Sequence, residues 1–369
     1  MQVICPICKR TGDLSPDSWK CVCGEALEPQ PQSDFDPGLI DANQYGLWRY
    51  GKLFGLDCST PQVTLGAGWT PLIPVSIQSR EILIKVEYLA PSGSFKDRGT
   101  EVEINALVRQ PVDTVIDDSS GNAGSSLAAY AAQAGLKAEI YVPHYASENK
   151  KKQIAIYGAA VHAIPGVRND AKLAAMAAVG QGKIYASHAY HPCFLLGQES
   201  VAWEIWEQMG RTAPDWYVVP VGQGVHLLGA WLGFSRLKNA GLIPRVPRMV
   251  AVQPTLLNPI SSAVESGSVD LPEIQQDKPS LAEGLAINRP VRWKRILQAI
   301  RESQGMAVSV SENEIISGQQ ELAQMGFYAE PTSATVMAAI KRVLQVASPE
   351  DRIVVPLTGS GLKGAPKID

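Results

Sequence analysis

The chain has 369 residues, 45% hydrophobic and 19% charged, with a formal net charge of −3. That length supports two domains and a substantial core, and that composition excludes a disordered protein. The near-balanced charge gives no reason to expect a nucleic-acid partner, and no apolar run approaches the roughly 20 residues that cross a bilayer.

Residues 1–5 lack the basic segment and long apolar core of a secretory leader, so a cytoplasmic protein is expected. Of six cysteines, Cys5, Cys8, Cys21 and Cys23 fall in one short stretch: Cys-x2-Cys, twelve residues, then Cys-x-Cys-Gly. Thiolates from two tight turns can surround Zn²⁺ tetrahedrally, so residues 1–30 read as a zinc-ribbon-like segment. The zinc is structural in this reading, because four protein ligands leave no open position. A metal-free ribbon or an exposed redox pair suits the same spacing. Cys58 and Cys193 read as ordinary thiols.

A stretch rich in Pro, Gln and Asp at 28–34 reads as a linker. Beyond it, strand-like runs at 82–86, 114–117, 138–142, 161–164, 216–221, 249–253 and 352–357 alternate with helical ones. The helical stretches fall at 100–109, 125–134, 171–179, 198–209 and 332–346. This alternation predicts an α/β fold with largely parallel sheets, whose strands are buried on both faces. Ligands in such folds bind at the carboxyl ends of strands.

The segment Ala90-Pro91-Ser92-Gly93-Ser94-Phe95-Lys96-Asp97-Arg98-Gly99 breaks a strand and opens a helix, with Ser92 or Ser94 as the expected cap. Lys96 then lies in the first turn, where the helix dipole disfavours an ammonium, and a lowered lysine pKa suits Schiff-base chemistry. Three further loops follow strands. Asp117-Asp118-Ser119-Ser120-Gly121-Asn122-Ala123-Gly124 offers hydroxyls, an amide and a helix start to an anion; a simple capped turn uses the same residues. Gly222-Gln223-Gly224-Val225-His226 permits close backbone approach before an apolar helix. Leu227 stands where a dinucleotide fingerprint needs glycine, so a Rossmann NAD site is not supported. Thr358-Gly359-Ser360-Gly361-Leu362-Lys363 puts a hydroxyl directly after a strand.

Taken in order, these pieces resemble the fold-type II pyridoxal-phosphate enzymes, and most closely the threonine synthase family. Ser94–Gly99, Ser119–Asn122 and Gly222–His226 carry the likeness, together with Ala282-Glu283-Gly284-Leu285-Ala286, Glu330-Pro331-Thr332-Ser333-Ala334 and Thr358–Lys363. The cysteine ribbon also has counterparts there. The resemblance implies two open twisted α/β domains with the cofactor between them: residues 31–100 with 185–369 as the large cofactor-binding domain, and 101–184 as the small one. It implies that Lys96, flanked by Phe95, holds pyridoxal 5′-phosphate as a Schiff base. Asn122 would bond the ring 3′-oxygen, and Gly222, Gln223, Gly224, Val225 and His226 would cradle the phosphate. Thr358 would face the ring nitrogen, and Ser119, Ser120 and Ala123 the substrate carboxylate. A hydroxyl beside the ring nitrogen makes a weaker electron sink than a carboxylate would, which favours elimination. Lys96, once displaced by the substrate amine, serves as the base at Cα or Cβ. A homodimer is expected by analogy, with no regulatory domain after Lys363.

The sequence departs from that family at the substrate-phosphate clamp. A family segment of the form Asn-Pro-Phe-Arg-x-x-Gly-Gln is His191-Pro192-Cys193-Phe194-Leu195-Leu196-Gly197-Gln198 here, with Phe194 at the arginine position. Losing a guanidinium removes a charge-assisted bond worth about 1.5–3 kcal/mol. Arg98, His191 and His226 are the candidate replacements. The resulting expectation is a lyase that eliminates or replaces a β- or γ-substituent on a small amino acid. A serine/threonine dehydratase-type ammonia-lyase is the alternative, and a cofactor-binding scaffold without activity a third reading.

Overall fold

A small antiparallel sheet opens the chain, from β1 (Gln2–Ile4), β2 (Thr11–Asp13) and β3 (Glu28–Gln30) in the order β2-β1-β3. The computed structural model describes residues 1–15, 19–30, 34–56, 60–146, 148–180, 182–276 and 278–364. Cys58 and linker residues 31–33 lie outside the described residues.

The chain continues through β4 (Leu72–Ile77), β5 (Arg80–Lys85), α1 (Lys96–Leu107), β6 (Thr114–Asp117) and α2 (Asn122–Ala134). Next come β7 (Lys137–Pro143), α3 (Glu148–Ala155), β8 (Ala160–Ile164), α4 (Arg168–Ala177), β9 (Lys183–Tyr185) and α5 (Pro192–Gln208). Strand β10 (Trp216–Pro220), α6 (Val225–Asn239), β11 (Arg248–Pro254), α7 (Pro259–Glu265) and α8 (Trp293–Glu302) follow. The chain then runs through β12 (Met306–Val310), α9 (Glu312–Gln324), α10 (Pro331–Val343) and β13 (Ile353–Pro356).

Packing divides the chain into two compact units, residues 1–69 with 90–200 and residues 70–89 with 201–369. Residues 31–69, 90–100 and 185–200, grouped above with the large domain, pack in the first unit. That unit holds the ribbon sheet and a four-stranded parallel sheet, β8-β7-β6-β9. Its core joins Val115, Ile140, Val142 and Ile184 of the strands to Ile104 and Leu107 of α1 and Leu127 and Tyr130 of α2.

The second unit carries a six-stranded sheet, β12-β11-β10-β13-β5-β4, parallel except for the β4–β5 hairpin. Every residue of β10 and β13 is buried, as expected of strands covered on both faces. Edge strand β4 is mostly uncovered and contains Pro74, which only an edge tolerates well. Among the described residues, no helix is long and apolar enough to cross a membrane.

Candidate active site

One carboxylate builds the turn before α1. Asp97 Oδ2 accepts from the Ser92 amide at 2.6 Å, while Oδ1 accepts from the hydroxyls of Ser92 (2.5 Å) and Ser126 (2.6 Å). Ser92 therefore bonds the Asp97 side chain rather than capping the helix. The residue before the first turn is Phe95, and it supplies no side-chain cap. Neither expected cap is used. Lys96 is the first residue of α1, half-buried, with Nζ 4.3 Å from the Phe95 ring centroid. First-turn amides have no intrahelical acceptor, so Lys96 opens the electropositive end of the helix as the sequence predicts. Two residues earlier, the buried Ser94 Oγ has no hydrogen-bond partner among the described residues.

The Asp97–Ser126 bond also joins the first turn of α1 to the second turn of α2. Gly121 precedes α2, so Asn122 and Ala123 are its first two residues, with Ser119 and Ser120 in the loop ahead. A helix start behind two hydroxyls suits a carboxylate or an oxyanion.

Beneath this loop lies a group of ionisable residues that the sequence reading does not single out as ligands. Asp117 ends β6 and Asp118 follows it, both buried, and His188 Nδ1 is 3.4 Å from Asp117 Oδ2. Tyr185 donates to Asp118 Oδ1 at 2.6 Å. Burial pushes the Asp117 carboxyl up to about 7, against the downward pull of the Asp118 amide and the Arg168 and Lys96 charges. Asp118 is also raised, by burial and then by Asp117. Burial, followed by the Lys96 charge, holds His188 well below its usual value, so the imidazole is neutral. Burial and the Asp117 charge raise Glu103 well above the carboxylate range. Charged residues ending a buried parallel strand were the signal that could have found the pair.

The ribbon reaches this neighbourhood. Trp19 stands edge-on to Tyr185 and Tyr190, with ring centroids 5.2 and 5.3 Å away, and Lys172 donates to the Tyr190 hydroxyl at 2.8 Å. Within the ribbon, the sulfurs of Cys5, Cys8, Cys21 and Cys23 all lie within 4.8 Å of one another. Hydrogen bonding, chiefly with the Arg10 backbone, pulls the Cys8 thiol down, while Cys23, against the pull of a Glu25 backbone bond, is pushed up by its sulfur neighbours, so the cluster shares its protons unevenly. Four converging sulfurs fit a tetrahedral zinc. Cys193 is buried.

In the second unit the remaining motifs close on one another. Gly224 precedes α6 at φ 75°, and a Cβ on Gly222 would fall 2.5 Å from Gly284 O. A Cβ on Gly284 would in turn meet Thr332 Oγ1 at 3.0 Å, and the next residue, Ser333, bonds Thr358 through the two hydroxyls at 2.9 Å. Gln223 Oε1 accepts from the Val291 amide at 3.0 Å, and His226 Nε2 is 2.8 Å from the Tyr217 hydroxyl. With those side chains turned into the protein, residues 222–226 present backbone amides at a helix start, which is what a phosphate binds. Thr358 is buried, its hydroxyl directly after β13. A loop that leaves no room for a Cβ at 222 and offers amides at a helix start fits the phosphate group of pyridoxal phosphate.

The three candidate replacements for the missing arginine are occupied elsewhere. Arg98, fully buried, reaches the Ser200 hydroxyl at 3.2 Å. His191 lies 3.5 Å from Glu103, and His226 faces Tyr217. Phe194 is itself buried, packed so closely on α1 that a Cβ on Gly99 would lie 2.6 Å from its ring.

Residues 63–359 match the family described as "Pyridoxal-phosphate dependent enzyme". The chain belongs to that family. It is 31% identical to a threonine synthase of Methanocaldococcus jannaschii over 97% of this chain and 92% of that protein. A Synechocystis threonine synthase is 34% identical over 86% and 84% of the two chains. Among solved structures, a fungal L-serine ammonia-lyase from Rhizomucor miehei superposes with a TM-score of 0.66 at 24% identity, covering 79% of this chain and 93% of that one. The last likeness concerns the fold alone. The protein is accordingly a threonine-synthase-like, pyridoxal-phosphate-dependent lyase of fold type II.

Proposed function

We propose that this lyase eliminates or replaces a β- or γ-substituent on a small amino acid, with Lys96 as the cofactor's covalent anchor and then as the base. Bound pyridoxal phosphate supplies an electron-withdrawing ring that stabilises negative charge developing at the substrate Cα. In this reading the backbone amides of Gly222, Gln223, Gly224, Val225 and His226 hold the phosphate, and Asn122 orients the ring through its 3′-oxygen. The Thr358 hydroxyl, kept in place by Ser333, meets the ring nitrogen without the charge that would keep it protonated. Ser119, Ser120 and Ala123, at the start of α2, take the substrate carboxylate. Lys96 Nζ, once freed, takes a proton from carbon. Its place at the helix start favours the neutral amine that this task requires.

The observation that carries the reading is Lys96 opening α1, with Asp97 tying that turn to α2. Purified protein should absorb visible light, and borohydride reduction followed by peptide mapping should find the cofactor on Lys96. A colourless protein that cannot be reconstituted, or cofactor on another lysine, refutes the assignment. A second reading, an ammonia-lyase acting on serine or threonine, is favoured by Phe194 at the clamp position. Phosphate and threonine released from O-phosphohomoserine distinguish the first activity; ammonia and a 2-oxoacid from serine or threonine distinguish the second. Cys5, Cys8, Cys21 and Cys23 are proposed to hold one structural zinc.

A further inference from the structure

We infer that Gln153 of α3 is a positioning residue for this reaction: it holds the start of α2 against the Lys96 turn and so sets the affinity for the substrate carboxylate. This rests on the lyase reading above and adds to it a side chain that acts through its neighbours.

The turn ahead of Lys96 is held by its carbonyls. Gln153 Nε2 donates to Ser92 O at 3.2 Å, and Gln198 Nε2, from α5, donates to Phe95 O, also at 3.2 Å. Ser92 gives its amide and its hydroxyl to Asp97, so all three of its polar groups are engaged. The other end of the Gln153 amide meets α2, where the Ser125 hydroxyl donates to Gln153 Oε1 at 3.3 Å. Ser125 closes the first turn of α2, and its amide and hydroxyl also reach Gly121 O, at 3.1 and 3.2 Å. Gly121 lies between Ser120 and Asn122, inside the loop proposed to take the carboxylate and orient the ring.

Gln153 thus runs beside the Asp97 link: Asp97 joins Ser92 to Ser126, and Gln153 joins Ser92 to Ser125. The two links differ in strength. The bonds of the fully buried Asp97 are 2.5–2.6 Å long, whereas those of the neutral Gln153 amide are 3.2–3.3 Å. Ser125 has one hydroxyl proton to divide between Gly121 O and Gln153 Oε1. Helix α3 is itself lightly held, with Ile154 as its one buried residue. Without Gln153 the lysine turn keeps Asp97 and Gln198, so the cofactor's anchor stays in place. What slackens is the α2 start, where donors must converge on carboxylate oxygens to within about 0.5 Å. A bond kept equally in ground and transition states is lost, so the effect falls on KM rather than kcat.

The test uses the holoenzyme with serine, threonine and O-phosphohomoserine, taking whichever the parent turns over fastest. A neutral hydrogen bond is worth about two- to tenfold in an equilibrium. Gln153→Ala should therefore raise KM at least about threefold while kcat changes less than about twofold, with cofactor affinity and thermal midpoint close to the parent's. The carboxamide of the same substrate, titrated by the change in cofactor absorption, has no carboxylate to place, and parent and variant should bind it alike. A role confined to folding would not separate the acid from its amide. Ser125→Ala should raise KM in the same direction, and the double variant should go no further than the larger single effect, since both remove one link. Gln153→Met keeps the length of the side chain without its hydrogen bonds; it should behave as Gln153→Ala does, and it replaces that variant if alanine unseats α3. A KM within about twofold of the parent, a fall in kcat alone, or an equal loss with the carboxamide overturns the inference. A parent that turns over none of the three refutes the lyase reading and this inference with it, whereas an active parent with unchanged variants refutes the inference alone.

Discussion

Asp117→Asn should flatten the pH dependence of stability in the cofactor-free protein. The carboxyl is buried in the folded chain and titrates at about 7, against a usual value of 3.8. Between those values the folded chain keeps a proton that the unfolded chain has released. Stability therefore falls as pH rises through this window, and below it the penalty is absent. At 1.36 kcal/mol per pH unit the gap amounts to about 4 kcal/mol. Asparagine has the shape of the neutral acid and cannot ionise. The variant should match the parent near pH 4 and exceed it above pH 7 by about that amount. For a unit of this size that is a thermal midpoint higher by roughly 10 °C. Asp118 and Glu103, both raised in part by the Asp117 charge, shift the difference in the same direction. The assay is thermal unfolding of both proteins from pH 4 to pH 8, with the difference taken at each pH. A variant that is no more stable above pH 7, or a difference that does not change with pH, would show that Asp117 is stabilised as the anion and refute the reasoning.

Lys85→Met should destabilise the protein by about 3–5 kcal/mol in denaturant unfolding, because it strands the fully buried Glu204 carboxylate. Adding Glu204→Gln should restore part of the loss, and an unchanged midpoint for the single variant would refute the pair's role. Gly222→Ala places a methyl 2.5 Å from Gly284 O, an overpacking of about 1–3 kcal/mol. Cofactor titration should then show about tenfold or more weaker binding, and undiminished affinity would remove the loop from the phosphate site. Freshly purified protein should contain one zinc per chain by metal analysis, lost in Cys8→Ser; absence of zinc in the parent counts against the ribbon assignment.

Much of the parallel scaffold was legible because its strands are continuous apolar runs, as in β10 and β13. Elements with weaker patterns went unread. Pro74 hid β4, whose outer residues face solvent, and β9 is only three residues long. The start of α9 did carry a signal, since Ser311 and Glu314 form a reciprocal cap. At the site, the glycine loop stood out because its backbone demands glycine locally, and Lys96 and Asn122 because they sit in short motifs at helix starts. Asp117 and His188 did not, being 71 residues apart and joined only when β6 and the segment after β9 come together. Serine caps were misjudged for a similar reason: local propensity favoured Ser92 or Ser94, but the Asp97 carboxylate claimed Ser92.

The contact of Trp19 with Tyr185 and Tyr190 changes what the ribbon is to the rest of the chain. An N-terminal module of 30 residues looks like something a gene could gain or shed freely. Here its indole covers the outer edges of two tyrosines whose hydroxyls hold Asp118 and Lys172. A chain trimmed of its first 30 residues would leave those rings bare to solvent, with Asp118 braced from one side fewer. A transplant of the module without its two matching tyrosines would therefore carry a mismatched seam.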